Sequence, residues 1–221
     1  MKFAFFDVDE TLIHPKSMFA FMEFWYARIG NRDQYENVMR ELRQLADSGA
    51  ERGAVNRLYY RQYAGVDIAE LFAAGREWYH AASATGSLFK TVVVNRLRAL
   101  ASDGFTAVFV SGSMRPVLEP IAIELDVSHL LCAELECVEN ICTGRLQDMA
   151  IGVRKRERLL DFVGDHDAGD QAHHAYGDHI SDLPMLLAVD HPHVVDPCAA
   201  LREVAVQRGW PVMTAAKISL P

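Results

Sequence analysis

The stretch FAFFDVDETLI, Phe3 to Ile13, constrains the fold of this chain more than any other. Its leading apolar run, Phe3 to Phe6, reads as a strand buried on both faces, of the kind found in the middle of a parallel sheet. The strand ends at Asp7. Extended side chains alternate in direction, so Asp7 and Asp9 point the same way while Val8 turns back into the protein. Two carboxylates held that close resist joint ionisation unless a cation or a proton lies between them. The stretch therefore reads as half of a metal site that also offers a nucleophile. On these residues alone, the plainer reading of acids that cap a following helix stays open.

The residues after this strand change character. Ser17 opens an aromatic-dense helix that Gly30 ends, and Asp33 starts a second with Val38, Leu42 and Leu45 at core spacing. A third runs from about Ala54 to Tyr63. Asp67 and Glu70 suggest a capping box for a fourth, whose apolar face carries Ile68, Leu71, Phe72, Trp78 and Tyr79. A further helix is expected from Ser87, closed by Gly104 before the strand Phe105 to Val110. From there strands and helices alternate. Ser113 and Pro116 mark a helix start, Glu139-Asn140 the two-residue turn of a hairpin, Val153 a helix, Asp178 the end of a short strand, and Asp182 with Pro184 another helix. The tail adds a strand near Val194 and a helix from Leu201 to Arg208.

Strands alternating with helices imply an α/β fold, a doubly wound parallel sheet with right-handed crossovers. The all-helical insertion cannot lie in that sheet and is expected to form a cap over the carboxyl ends of the strands, where open sheets bind ligands. The expected division is a catalytic core of residues 1–13 and 87–221 and a helical cap of residues 14–86.

Half of the 221 residues are hydrophobic, enough for a sizeable core. A net charge of -8 argues against nucleic acid or an anionic membrane as the main partner, so an anionic substrate has to be drawn by local charge. No apolar run reaches membrane-spanning length, and acids follow Met1 too soon for a signal peptide, so a cytoplasmic protein is expected. Cys132, Cys137, Cys142 and Cys198 lack zinc spacing and read as free thiols. The histidines, His179 beside Asp178 included, match no zinc pattern either.

Three strand ends converge on one edge in this reading. Asp7 and Asp9 come from the first, Ser111 from the second, and Asp178 with Asp182 from a later one, while Lys155 stands at a helix start. DVDET, the Ser111 of FVSGS, Lys155 of KRERL and GDHISD together resemble the four motifs of the haloacid dehalogenase-like superfamily, in the branch similar to phosphoserine phosphatases. The resemblance covers nearly the whole chain, the cap and the CTGRL hairpin included.

The resemblance implies a phosphatase acting on a small-molecule phosphomonoester through an aspartyl-phosphate. In-line displacement at phosphorus needs a nucleophile, neutralised phosphoryl oxygens and a proton for the leaving alkoxide. Asp7 fits the nucleophile and Asp9 the acid and base. Ser111, with Gly112, fits the phosphoryl contacts, helped by the helix start that follows, and Lys155 fits charge neutralisation. Arg154 could exchange with Lys155, although the KRERL register favours the lysine. An oxygen-only site suits magnesium, held by Asp7, the Asp9 carbonyl and Asp178, with Asp182 in supporting contact by resemblance.

In the cap, Arg57 or Arg61 could hold a substrate carboxylate. Lys16 stands where phosphoserine phosphatases carry an acid for the substrate ammonium, so a sugar, polyol or amino-alcohol phosphate is expected instead. Dehalogenation would have no use for Asp9 or for a metal-binding Asp178. A phosphotransferase or mutase, and a catalytically silent phosphate-binding module, are the alternatives. A monomer or homodimer is expected.

Overall fold

The computed structural model of the protein describes residues 1–166, 168–169 and 171–215. Residues 216–221, the end of the expected core, lie outside the described residues. The strands are β1 (Lys2–Phe6), β2 (Phe105–Met114), β3 (His129–Val138), β4 (Ile141–Asp148), β5 (His174–Gly177), β6 (His191–Val195) and β7 (Val212–Met213). They form one sheet in the order β4-β3-β2-β1-β5-β6-β7. Every pairing is parallel except the β3–β4 hairpin. The short edge strand β7 was not expected from the sequence.

The first strand earns its central place by its apolar residues. Phe3 and Phe5 face one side, packed with Leu159, Val163, Met185 and Leu201. Ala4 and Phe6 face the other, in a second cluster with Val93, Leu97, Val117 and Ile121. Both faces are therefore covered by helices, as a parallel sheet requires. Each buried phenylalanine removes an area of apolar surface worth about 2–3 kcal/mol.

The helices are α1 (Ser17–Arg28), α2 (Arg32–Asp47), α3 (Arg52–Tyr60), α4 (Ile68–Ser83), α5 (Thr91–Ser102), α6 (Arg115–Glu124), α7 (Val153–Asp165), α8 (Leu183–Leu186) and α9 (Ala199–Arg208). A 3-10 turn, Arg61–Tyr63, continues α3. The aromatic residues Phe21, Trp25, Tyr59, Tyr60, Tyr63 and Trp78 of the helical insertion share one hydrophobic cluster with Phe6 and Phe109 of the sheet. The insertion is thus seated on the sheet by buried contacts. The seat is close: a Cβ on Gly75 of α4 would stand 1.9 Å from the Pro116 carbonyl oxygen of α6, so only glycine lets these two backbones meet.

Two local expectations are corrected. The helix expected from Ser87 begins at Thr91, because residues 87–90 are drawn into extended pairing with the loop after β1. His14 N–H donates to the Leu88 carbonyl, Lys90 N–H to that of Leu12, and Phe89 bridges Ile13. Asp67 does cap α4, accepting from Ala69 N–H at 2.8 Å, but Glu70 does not complete a capping box. Its carboxylate is taken by Arg28 at 2.9 Å, a tertiary partner that outcompetes the local one. The Glu139-Asn140 turn has both residues at positive φ, the conformation a two-residue hairpin demands. Among the described residues, no helix is long and apolar enough to cross a membrane.

Candidate active site

Local structure after β1 follows from the DVDET sequence. Asp7 N–H still donates to the Tyr176 carbonyl of β5, so Asp7 is held as if in the sheet. The chain then wraps over Val8, whose carbonyl accepts from the N–H groups of Leu12 and Ile13, with Glu10 in the left-handed region. Val8 is fully buried, and Asp7 and Asp9 face the cavity above the strand ends.

That cavity has a volume of about 470 Å³. Its floor holds Asp7, Asp9, Ser111, Gly112, Lys155, Asp178 and Asp182, so residues far apart in sequence are brought to one place. Lys155 is 4% exposed and its Nζ donates to Asp7 Oδ1 at 2.5 Å and to Asp182 Oδ1 at 2.7 Å. Asp182 also accepts from His179 N–H at 3.1 Å, which uses its second oxygen. A Cβ on Gly177 would lie 2.8 Å from that of Asp182, so glycine at the end of β5 makes room for it. Thr11 Oγ1 donates to Asp178 at 3.3 Å.

Arg154 is turned away from the cavity, bonded to Asp148 and Glu157, so it does not share the Lys155 position. Arg57 is exposed and does not line the cavity, and neither does Arg61. The first turn of α3 presents Arg52 instead. Arg52 lies one α-helical turn and a little more before Arg57, which puts the two side chains on different faces of the helix.

The electrostatics follow from burial. Removal from water pushes the Asp7 carboxyl well above the usual carboxylate range; Lys155 opposes this, and Asp182, Asp178 and Asp9 add to it. Burial likewise raises Asp178 to about 6, with Asp182 adding and Lys155 opposing. For Lys155 burial disfavours the ammonium, but Asp182 and Asp7 outweigh it and hold its pKa above the ordinary lysine value. Asp9 is raised by burial, opposed mainly by Ser17. Its Oδ2 accepts from Ser113 Oγ at 3.3 Å, and Ser113 Oγ is 2.5 Å from Ser17 Oγ, while Oδ1 is buried without a protein partner.

Asp7, Asp178 and Asp182 each offer a carboxylate oxygen, and the three lie within 4.8 Å of one another. One ammonium cannot neutralise these three acids together with Asp9. An all-oxygen donor set with surplus negative charge fits a hard divalent cation. Asp182, whose oxygens are already engaged, fits a supporting place better than a direct one.

The roof comes from the helical insertion and is mostly apolar: Met18, Phe19, Val55 and Tyr59, with Ile151 from the core side. Arg52 closes one side by donating to His179 Nδ1 at 2.6 Å and to Ser181 Oγ at 3.2 Å. Burial, then Arg52, lower the His179 pKa, so the ring is a neutral acceptor there. Lys16 at the mouth is paired with Glu10 at 3.2 Å.

Sequence reasoning missed Arg52, Asn56, Thr11 and the Ser17–Ser113 pair. Asn56 left a readable signal. It shares the spacing of the buried Gly53, Tyr59, Tyr60 and Tyr63, so a polar residue stands on a core stripe. Its carboxamide oxygen is buried without a partner, an omission that costs about 1–3 kcal/mol in a cavity that is left dry.

An α/β sheet with a helical insertion seated on it, and with acids, a hydroxyl and a lysine at its carboxyl edge, defines a class of hydrolase. The model of the haloacid dehalogenase-like hydrolase family matches residues 4–187, and this chain belongs to that family. It is 29% identical over 216 residues to a probable phosphatase of Mycobacterium tuberculosis, covering 96% of this chain and 74% of the relative. It is 29% identical over 222 residues to an inhibition of morphological differentiation protein of Streptomyces azureus, covering 95% and 77%. Among solved structures, a protein of unknown function from Bordetella pertussis Tohama I superposes with a TM-score of 0.86 at 25% identity, over 96% of this chain and 97% of that one. A substrate-bound phosphoserine phosphatase shares the fold, with a TM-score of 0.66 at 15% identity over 96% and 92%.

Proposed function

We propose that the protein is a magnesium-dependent phosphatase of small-molecule phosphomonoesters, acting through an aspartyl-phosphate on Asp7. The reading is supported above all by the convergence of Asp7, Asp9, Ser111, Lys155 and Asp178 on one cavity. It accords with the relative in Mycobacterium tuberculosis that bears the name probable phosphatase. Residues 14–86 act as the cap of a core made by the rest of the chain, and the protein works in the cytoplasm.

A carboxylate oxygen of Asp7 attacks phosphorus in line with the ester oxygen, and the bond from phosphorus to that oxygen breaks. Asp9 gives its proton to the departing alkoxide, a task suited to a carboxyl that burial keeps protonated more readily. In the second half Asp9 takes a proton from water as the water oxygen attacks phosphorus. The bond to Asp7 then breaks and inorganic phosphate leaves. Ser111 and the backbone at Gly112 hold the phosphoryl oxygens, while Lys155 offsets their charge and keeps Asp7 and Asp182 in place. Magnesium, held by Asp7, the Asp9 carbonyl and Asp178 with Asp182 in support, would supply further charge neutralisation at the phosphoryl group.

Phosphate release from an aryl phosphate with and without magnesium tests the reading. Turnover that needs magnesium and is lost in Asp7→Asn is expected. No turnover by the wild-type chain across a broad panel of phosphate esters would sink it.

A further inference from the structure

Asn56 lines the cavity from α3 and is 3% exposed. Its carboxamide nitrogen has two long contacts, 3.4 Å to the Gly112 carbonyl oxygen and 3.7 Å to Met18 Sδ, and its oxygen has none. The Gly112 carbonyl already accepts from Tyr60 Oη at 2.7 Å, and Tyr59 Oη is committed to the Met18 carbonyl at 2.7 Å. The helix is therefore clamped onto the bulged end of β2 at Gly112 while one amide oxygen at the clamp stays unsatisfied. A buried polar atom in an apolar wall persists against its cost when something other than the protein satisfies it.

We propose that Asn56 selects the leaving alcohol by hydrogen bonding a hydroxyl close to the phosphate ester, which makes the substrate a phosphorylated polyol. The inference rests on the phosphatase reading of the same cavity. Its position next to Gly112 puts the amide beside the end of β2 assigned to the phosphoryl group, so it reaches the carbons nearest the ester and not the distal end of a long substrate. A hydroxyl both donates and accepts, so it complements either end of a carboxamide. An ammonium would be a charge in an apolar wall, and a neutral amide cannot balance it. Glu10, the glutamate that lines the cavity, is already paired with Lys16 at 3.2 Å.

The test compares kcat/KM for glycerol 1-phosphate and n-propyl phosphate, which share a three-carbon chain and a phosphate and differ in hydroxyls. With magnesium present, the wild-type chain is expected to favour glycerol 1-phosphate by roughly 10- to 100-fold. Asn56→Leu should bring the ratio to within about threefold, and Asn56→Gln, which moves the amide by one methylene, should lower it part of the way. A ratio taken within one protein does not depend on how much of that protein is folded. A wild-type ratio near one, or an unchanged ratio in Asn56→Leu, overturns the proposal. If an aryl phosphate is hydrolysed but glycerol 1-phosphate is not preferred, only this inference falls; if the wild-type chain hydrolyses no ester, the phosphatase reading falls with it.

Discussion

The floor and the roof of the cavity are built on opposite plans. On the floor, buried and half-buried charged groups are held in a bonded network: Lys155 reaches Asp7 and Asp182, His179 N–H reaches Asp182, and Thr11 reaches Asp178. In the roof most of the side chains are apolar, Arg52 touches only His179 and Ser181, Lys16 at the mouth is paired with Glu10, and Asn56 Oδ1 is unpartnered, as Asp9 Oδ1 is on the floor. The difference separates two tasks. Chemistry at phosphorus requires charges whose positions do not relax as the reaction proceeds, which a bonded network anchored on strand ends provides. On the proposed reading, choosing an alcohol requires surface that can change without disturbing those charges, and a helical insertion whose backbone meets the sheet at the edge strand β4, through Gly65, Val66 and Ile68, offers it.

The strongest way to break this contrast is to cut the floor. Asp7→Asn should lower kcat for aryl phosphate hydrolysis by at least about 10⁴-fold with the far-ultraviolet spectrum kept. Asp9→Asn, which removes the proposed proton donor and acceptor, should cost about 10²–10⁴-fold, least with leaving groups that depart without a proton. Lys155→Met removes the partner of two buried carboxylates. A stability loss of roughly 3–5 kcal/mol in urea unfolding is expected, and a loss below 1 kcal/mol would show that the floor is less tightly coupled than described.

Magnesium and pH sharpen the comparison. The Asp178 carboxyl, raised to about 6 by burial, binds its proton more tightly folded than at ~3.9 unfolded. Its contribution to the stability of the metal-free protein is therefore complete below about pH 4 and is lost as pH rises through about 6. A divalent cation prefers the ionised form, so magnesium should raise Tm more at pH 7.5 than at pH 5, by roughly 5–10 °C at saturating concentration. An equal gain at both pH values would argue that the ion sits elsewhere.

The smallest effects are expected in the roof. Gly75→Ala should force α4 away from α6 and cost about 1–3 kcal/mol, since the added carbon meets backbone. Arg52→Ala, which frees His179 and Ser181 from the helical insertion, should raise KM by about three- to tenfold and change kcat less.

Much of the floor was legible in the chain because strand ends announce themselves. An apolar run followed by an acid, as at Phe6-Asp7 or Tyr176-Gly177-Asp178, marks both the strand and the edge where its side chains emerge. The roof was not. Arg57 is expected at the substrate from the sequence, yet Arg52 lines the cavity and Arg57 does not, because helix position alone does not say how α3 is rotated against Ser111 and Gly112 of β2. The Ser87 helix start and the Glu70 cap failed for a related reason: local propensity was overridden by Leu12 and His14 in one case and by Arg28 in the other.

From sequence alone, then, the order of elements, the covered parallel sheet and the acids at its carboxyl edge could be read, since hydrophobic period and turn residues act over a few positions. Packing decided which groups meet. That Lys155 bridges Asp7 and Asp182, that Ser17 reaches Ser113 beside Asp9, and that the Asn56 carboxamide oxygen is left without a partner depend on residues tens to more than a hundred positions apart. Such contacts are set by how close two backbones can come, and no local pattern carries that distance.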